Sequence, residues 1–342
     1  MNEHIREMAP YASARDEFTG RAEVYLDANE SWYGGNEGIN RYPDPRAVGF
    51  RKELEKVMGF PFDMTAIGNG SDEIIDMLIR IFCTPGRDSV MISRPTYGEY
   101  KVLADLNNVQ CIDVPLCEDL SLDTDRIIGM INERSPKIVF ICSPNNPTGR
   151  VYPLSDILRI SAANKGITVV DEAYADFASG FESAVGYIKD NPRIVVMRTM
   201  SKAWALAGAR VGIMIADPEI QKVFIKTKAP YNVSSPAQKA AVEALLNAEK
   251  MRNIRDEIIS ERERLSSLLP SYPFVVKVYP SETNFILVKV DNAGRLYDHL
   301  LIRGIIVRNR SHEPLLDNCL RLTVGSKEEN DRLLEGFDEY IV

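Results

Sequence analysis

The sequence predicts an α/β fold, with a large sheet-based domain followed by a smaller α+β domain. Three observations carry that expectation. Strand-like and helix-like patterns alternate from about residue 65 to 230, which is how an α/β sheet domain reads. Runs such as KIVFIC at 137–142 have the length and branching of buried strands. Beyond about residue 272, shorter strands and helices follow one another as a second unit.

The elements follow in order. Residues 71–82 read as a helix, with Ile74, Ile75, Leu78, Ile79 and Phe82 on one face. A strand at 89–93 leads through Arg94-Pro95 to a polar helix. KIVFIC is the next strand and is stopped by SPNNPTG. A helix at 154–165 is expected to end at Gly166 as its C-cap. Strands at 167–170 and 194–197 run into Asp171 and towards Lys202. The segment 235–269 is long, charged and helix-rich, and is expected to lead out of the large domain. After it come a strand at 284–290, a helix at 293–303, strands near 305–307 and 319–323, and a last helix at 327–337. The first 40 or so residues have too little apolar periodicity to stand alone. The expected divisions are therefore 1–44, packing with the small domain, 45–235 as the large domain, and 236–342 as connecting helix plus small domain.

Bulk properties exclude several functions. The 342 residues suit roughly two domains, and 45% hydrophobic with 26% charged residues is ordinary globular composition. Net charge is −8 with no long basic block, which argues against nucleic-acid binding. No apolar run approaches the ~18 residues of a membrane helix, and MNEHIREMAP is not a signal peptide. Cys83, Cys111, Cys117, Cys142 and Cys319 form no CxxC pair, so neither disulfides nor a zinc site is suggested. These features point to the cytoplasm. His4, His299 and His312 have no ligand spacing, so no metal site and no Ser-His-Asp triad is expected.

The chemistry-bearing pattern centres on Lys202, which lies eight residues before Arg210. A lysine just past a buried strand stands where open α/β sheets place ligands. If partly desolvated, it can lose its proton and attack a carbonyl. Alone, Lys202 reads equally as a solvated surface lysine; its companions decide. One buried strand ends at Asn145-Asn146, the next at Asp171, and the third leads to Lys202. Parallel strands would bring this amide, carboxylate and amine to one crevice. Singly, Asn-Asn-Pro-Thr-Gly is a good turn and Asp171 a good helix cap. GNGSDE at 68–73 offers backbone N–H groups to an anion at a helix start, although capping by Ser71 or Asp72 explains it as well. It is neither GxGxxG nor a Walker loop. Arg210 offers a charge-assisted hydrogen bond to the same anion, and Thr199 and Ser201 add hydroxyls. Pyridoxal 5'-phosphate (PLP) fits these parts: an aldehyde for Lys202, a ring nitrogen held protonated by Asp171, and a phosphate.

Here the chain resembles fold-type I PLP-dependent aminotransferases, most closely the histidinol-phosphate aminotransferase family. The resemblance runs through LDANES (26–31), RYPDP (41–45), GNGSDEIIDMLIRIF (68–82), RPTYGEY (94–100), CSPNNPTG (142–149) and VVDEAYADF (169–177). It continues through TMSKAWALAGARVG (199–212), PYNVSSPAQ (230–238), ETNFILVKV (282–290), GIIVRNR (304–310) and CLRLTVGS (319–326). It implies a mostly parallel seven-stranded sheet between helices. It also implies that Lys202 holds the cofactor as a Schiff base and shuttles the proton between substrate Cα and cofactor C4′. Asp171 pairs with the pyridine nitrogen. Tyr174 and Asn146 bond the phenolic oxygen, and Tyr97 stacks on the ring. The backbone at Ser71 and Asp72, with Thr199, Ser201 and Arg210, holds the cofactor phosphate. Tyr42 reaches that phosphate from the other subunit of a homodimer. Arg321 resembles the substrate-carboxylate arginine and Arg308 a second anion-binding arginine. A surface salt bridge is the competing reading of each, especially of Arg308 with Arg310 nearby. Asn29 and Asn284 are expected to line the pocket.

The chain departs from the family after LDANE, where Asn-Pro-Tyr-Gly is usual and Ser31-Trp32-Tyr33-Gly34-Gly35 stands instead. The resemblance implies transamination between L-histidinol phosphate and 2-oxoglutarate, giving imidazole acetol phosphate and glutamate in histidine synthesis. A threonine-phosphate decarboxylase and an aromatic aminotransferase are the rivals within the fold. A regulatory protein on the same fold would carry a DNA-binding extension, for which there is no basic patch, and an NAD enzyme would need its glycine fingerprint.

Overall fold

The computed structural model describes residues 1–9, 23–34 and 39–341. A short helix α1 (Glu3–Glu7) begins the chain, and Asn2 anchors it. The Asn2 backbone N–H donates to Ile81 O at 2.8 Å, and its amide donates to Arg80 O at 3.0 Å and Cys83 O at 2.8 Å. It thereby satisfies carbonyls left open where a helix ends. Residues 1–8 therefore dock on the large domain, against the expectation that 1–44 pack with the small one. Residues 10–22 and 35–38 of that segment lie outside the described residues, Gly35 among them.

The large domain runs α2 (Val48–Met58), β1 (Thr65–Asn69), α3 (Gly70–Phe82), β2 (Ser89–Ile92), α4 (Glu99–Leu106), β3 (Gln110–Asp113) and α5 (Thr124–Arg134). It continues with β4 (Ile138–Cys142), α6 (Leu154–Ala163), β5 (Ile167–Asp171), β6 (Ile194–Thr199), β7 (Val211–Ala216) and α7 (Pro218–Thr227). Among the described residues, seven strands form one sheet in the order β1-β7-β6-β5-β4-β2-β3. Only β7 runs antiparallel to its neighbours. The central strands β4, β5 and β6 are buried at every position but Arg198, and mostly apolar, because helices cover both faces. Val139, Ile141, Val170 and Val196 pack on one side with Phe50, Leu54, Ile127 and Ile157. Ile138, Phe140, Val169 and Val195 pack on the other with Ile74, Leu78, Tyr100 and Phe224. Successive residues of a strand point to opposite faces, so each run feeds both cores.

Helix α6 does not end on Gly166. Asn164 is its C-cap, and the Asn164 amide donates to Ile167 O at 2.8 Å. Gly166 is needed for closeness instead, since a Cβ there would stand 2.2 Å from Lys137 O. The chain leaves through α8 (Ser235–Leu246) and α9 (Ala248–Leu268). The boundary expected at 235/236 falls within one continuous packing, because Ala237, Ala241 and Leu245 of α8 still belong to the large-domain core.

The small domain holds β8 (Val275–Val278), β9 (Phe285–Val290), α10 (Ala293–Ile302), β10 (Arg308–Asn309), β11 (Cys319–Thr323) and α11 (Lys327–Asp338). Its antiparallel sheet has the order β10-β11-β9-β8. Ile286, Val288, Leu296, Leu320 and Phe337 fill its core with Leu265 of α9. The strand expected near 305–307 forms two residues later. After the turn at Gly304 (φ +74), Ile305 N–H still bonds Leu300 O, and the ladder starts where Arg308 meets Arg321. No helix among the described residues is long and apolar enough to cross a membrane.

Candidate active site

Strands β4, β5 and β6 are adjacent and parallel, with Cys142 beside Asp171 and Asp171 beside Met197. Their carboxyl ends open on a cavity of about 570 Å³. Twelve of the residues singled out from sequence line it together: Ser71, Asp72, Tyr97, Asn146, Asp171, Tyr174, Thr199, Ser201, Lys202, Arg210, Arg308 and Arg321.

Lys202 sits in a tight loop after β6. Leu206 N–H bonds Met200 O at 3.0 Å and Ala205 N–H bonds Lys202 O at 3.1 Å. Ala203 and Trp204 are buried beneath it, so the loop is anchored while the amine reaches into the cavity. Its Nζ lies 5.6 Å from the Tyr174 ring centroid. The surrounding protein strips part of its hydration, and Arg321 adds repulsion. Both lower its pKa, against the pull of Asp171 and Asp72. That direction favours the neutral, nucleophilic amine.

Asp171 ends β5 and is 4% exposed. Tyr100 donates its hydroxyl to Oδ2 at 2.6 Å, and Ala173 N–H donates to Oδ1 at 3.1 Å. Burial raises the carboxyl pKa against those two bonds. Its best partner would be a cation placed in the cavity. Tyr174 is buried edge-on to Phe285 of β9 at 5.2 Å, and burial pushes its phenol pKa up.

The opposite end of the cavity is the start of α3. Gly70 takes φ +79, and a Cβ on it would stand 2.4 Å from Arg210 Nη2. Glycine therefore lets the guanidinium lie over the helix N-terminus. Arg210 Nη2 donates to Asp72 Oδ2 at 2.9 Å, and Tyr97 donates its hydroxyl to Asp72 Oδ1 at 3.0 Å. Backbone N–H groups, a guanidinium and the Thr199 and Ser201 hydroxyls surround a place suited to an anion.

The small domain supplies the third wall. Arg321 Nη1 donates to Asn146 Oδ1 at 2.5 Å, which ties β11 to the turn after β4. The same turn meets the small domain again where Glu282 N–H bonds Gly149 O at 2.8 Å. Arg308 stands opposite Arg321. Sequence reasoning missed Arg310, His312 and Glu313 on this wall, and Tyr100 below the floor. Arg310 had a signal, being two residues from Arg308 in an extended segment and so on the same side. Tyr100 lay within the recognised RPTYGEY; nothing marked His312 or Glu313.

Asn29 and Asn284 are placed outside the Lys202 cavity, and so is Tyr42, which was expected to serve the other subunit. Asn29 and Tyr42 line a second cavity of about 470 Å³ with Arg41 and Tyr231. The segment carrying Asn29 is tied to RYPDP by an Arg41–Glu30 ion pair at 2.6 Å. Asn284 lines neither cavity; its carbonyl accepts Val324 N–H at 2.9 Å. Trp32 is 86% exposed. Among the described residues, no group of three His, Cys, Asp or Glu side chains is placed to hold a metal.

Comparison with known proteins follows the same lines. Residues 17–337 match the family model described as aminotransferase class I and II. A histidinol-phosphate aminotransferase of Christiangramia forsetii is 42% identical over 338 residues, 98% of this chain and 95% of that one. The crystal structure of the histidinol-phosphate aminotransferase from Clostridium acetobutylicum superposes with TM-score 0.81 at 27% identity, covering 89% of this chain and 91% of that one. The Sinorhizobium meliloti histidinol-phosphate aminotransferase, solved in complex with pyridoxal-5'-phosphate, has the same fold. Its TM-score is 0.81 at 24% identity, over 91% of this chain and 89% of that one.

Proposed function

The chain belongs to the class I and II aminotransferases, and from that premise we propose that it transfers the amino group of L-histidinol phosphate to 2-oxoglutarate. The products are imidazole acetol phosphate and glutamate. The observation that carries the reading is the convergence of Lys202, Asp171 and Arg321 on one cavity.

PLP fits the residues present. Asp171 is a buried carboxylate with no ion pair among the described residues, and a protonated ring nitrogen supplies the missing cation. Gly70 and Arg210 shape a phosphate seat at α3. When bound, PLP supplies an aldehyde for the amine and an electron sink for the charge left at Cα. Everything else falls to the chain. Lys202, with its lowered pKa, would serve as the base that takes the substrate Cα proton and hands it on. Asp171 holds the ring nitrogen protonated. Arg321 occupies the Asn146 carbonyl oxygen, which leaves that amide's N–H₂ free to donate to the phenolic oxygen beside Tyr174. Ser71, Asp72, Thr199, Ser201 and Arg210 would hold the cofactor phosphate, and Tyr97 would stack on its ring. Arg321 and Arg308 bind the substrate anion, a phosphate in one half-reaction and a carboxylate in the other.

The working unit is a homodimer in which Tyr42 completes the neighbour's site. Tyr42 is 52% exposed and outside its own protomer's Lys202 cavity, which supports that placement. The enzyme belongs in the cytoplasm, where its five free cysteines stay as thiols.

The test is a single half-reaction. PLP-loaded protein receives L-histidinol phosphate without a keto acid, and the cofactor absorbance is followed. Bleaching of the yellow form, reversed by 2-oxoglutarate, is expected. No bleaching, with carbon dioxide released from threonine phosphate, would overturn the assignment in favour of a decarboxylase.

A further inference from the structure

Among the described residues, three guanidiniums on the small-domain wall make no ion pair. Arg308 and Arg321 are direct partners in the β10–β11 ladder, a position in which like charges repel. Arg310 follows Arg308 on the same side of the extended chain. It is 8% exposed, and its Nε has no hydrogen-bond partner. Arg321 Nε is equally unpartnered. Among the described residues, the three side chains make a single hydrogen bond, from Arg321 to Asn146. Glu313, the nearest acid along the chain, faces His312 at 3.6 Å and makes no ion pair with Arg310, so its charge offsets the guanidinium only from a distance. All three arginines line the Lys202 cavity. A buried, uncompensated guanidinium is costly unless an anion arrives to meet it.

We propose that Arg310 is a specificity-determining residue, the third guanidinium by which this wall selects a phosphate monoester over a carboxylate. The inference rests on the reading above, in which this wall receives the substrate's anion. A carboxylate carries one charge on two oxygens, and one arginine fork satisfies it. A phosphate monoester carries nearly two charges on three terminal oxygens at neutral pH. Coulomb attraction scales with charge, so a third guanidinium gains about twice as much from the phosphate. Arg321 and Arg308 serve both substrates, whereas Arg310 serves the phosphate.

The experiment compares PLP-loaded wild type, Arg310→Met and Arg310→Lys. Inorganic phosphate and glutarate, as non-reacting probes, are titrated by calorimetry; kcat and KM are then measured for L-histidinol phosphate and L-glutamate. For Arg310→Met, phosphate affinity and kcat/KM for histidinol phosphate should fall about 30-fold, mostly in KM. Glutarate affinity and the glutamate half-reaction should fall only about fivefold, the carboxylate carrying half the charge. Arg310→Lys keeps the charge but not the fork, and should recover part of the phosphate term. If Arg310→Met does not fold, the phosphate-to-glutarate ratio of Arg310→Lys decides. Equal losses on both ligands, an unchanged ratio, or a wild type that does not bind phosphate would overturn the proposal. A wild type with the expected binding ratio but no turnover of histidinol phosphate would overturn the substrate assignment and still support Arg310.

Discussion

Asp171 bears the sharpest electrostatic conflict of any single residue in the site. It is 4% exposed, and its pKa is raised by burial despite the Tyr100 and Ala173 bonds. The folded chain without cofactor thus holds the proton more tightly than the unfolded chain does. Stability of that form falls as pH climbs from the unfolded carboxyl value of 3.8 through the raised folded value. Above it the charge is buried without an ion pair among the described residues, with only the more distant pull of Lys202. Asp171→Asn removes that charge and can keep an oxygen for the Tyr100 hydroxyl. Cofactor-free Asp171→Asn should therefore be more stable than wild type at pH 7, by about 1–3 kcal/mol in urea denaturation. The gain should shrink as pH falls through the folded pKa towards 3.8. The same variant should bind PLP at least about tenfold more weakly, having lost the charge proposed to hold the ring nitrogen protonated. Finding it less stable than wild type when empty at pH 7 would refute this account of Asp171.

At the scale of elements, the site depends on how α3 is seated on the sheet. A Cβ on Gly212 of β7 would stand 2.4 Å from Gly70 C, 2.5 Å from Gly70 O and 2.6 Å from Ser71 N. Every one of these atoms is backbone, so Gly212→Ala must displace the first turn of α3, the proposed seat of the cofactor phosphate. Gly166→Ala meets Lys137 O at 2.2 Å, but at the end of β5 away from Asp171. Each substitution should cost about 1–3 kcal/mol of stability. Only Gly212→Ala should also weaken PLP binding, read by cofactor titration of the two folded variants. Equal weakening in both would show that general loosening, not the seat of α3, governs cofactor affinity. Elements differ in how plainly they read. KIVFIC and ITVV are legible because burial on both faces demands unbroken apolar runs, and α3 because one face carries all its isoleucines. β3 is an edge strand of four residues with Gln110 exposed, so no apolar run marks it. Gly166 looked like a cap because a glycine after a helix usually is one; the contact that requires it comes from residue 137, distant in sequence. Asn146, Asp171 and Lys202 were legible because each lies at the end of a buried run, whereas Tyr100 acts from inside a helix through a bond across 71 residues.

At the scale of the whole molecule, one protomer leaves apolar surface uncovered near its beginning. Val24, Leu26, Trp32, Tyr33 and Ile39 are each at least 62% exposed. Tyr42 stacks on Tyr231 with centroids 4.4 Å apart, at the rim of the second cavity. Large apolar side chains grouped in this way favour association, and a two-fold dimer buries the same patch on both subunits. If Tyr42 works across that interface, two inactive variants should repair each other. Lys202→Ala has no reactive amine but an intact Tyr42; Tyr42→Ala has the amine but lacks the phenol. In a hybrid dimer, the site that owns Lys202 receives Tyr42 from the other subunit and is whole. Random reassortment of an equal mixture makes half the dimers hybrid, each with one whole site, so about a quarter of wild-type activity should return. Differently tagged chains would show that hybrids have formed. Hybrids present without recovered activity would place Tyr42 in the service of its own subunit. The second cavity would then serve the Lys202 site of the same protomer, whose chemistry would need no residue from a partner.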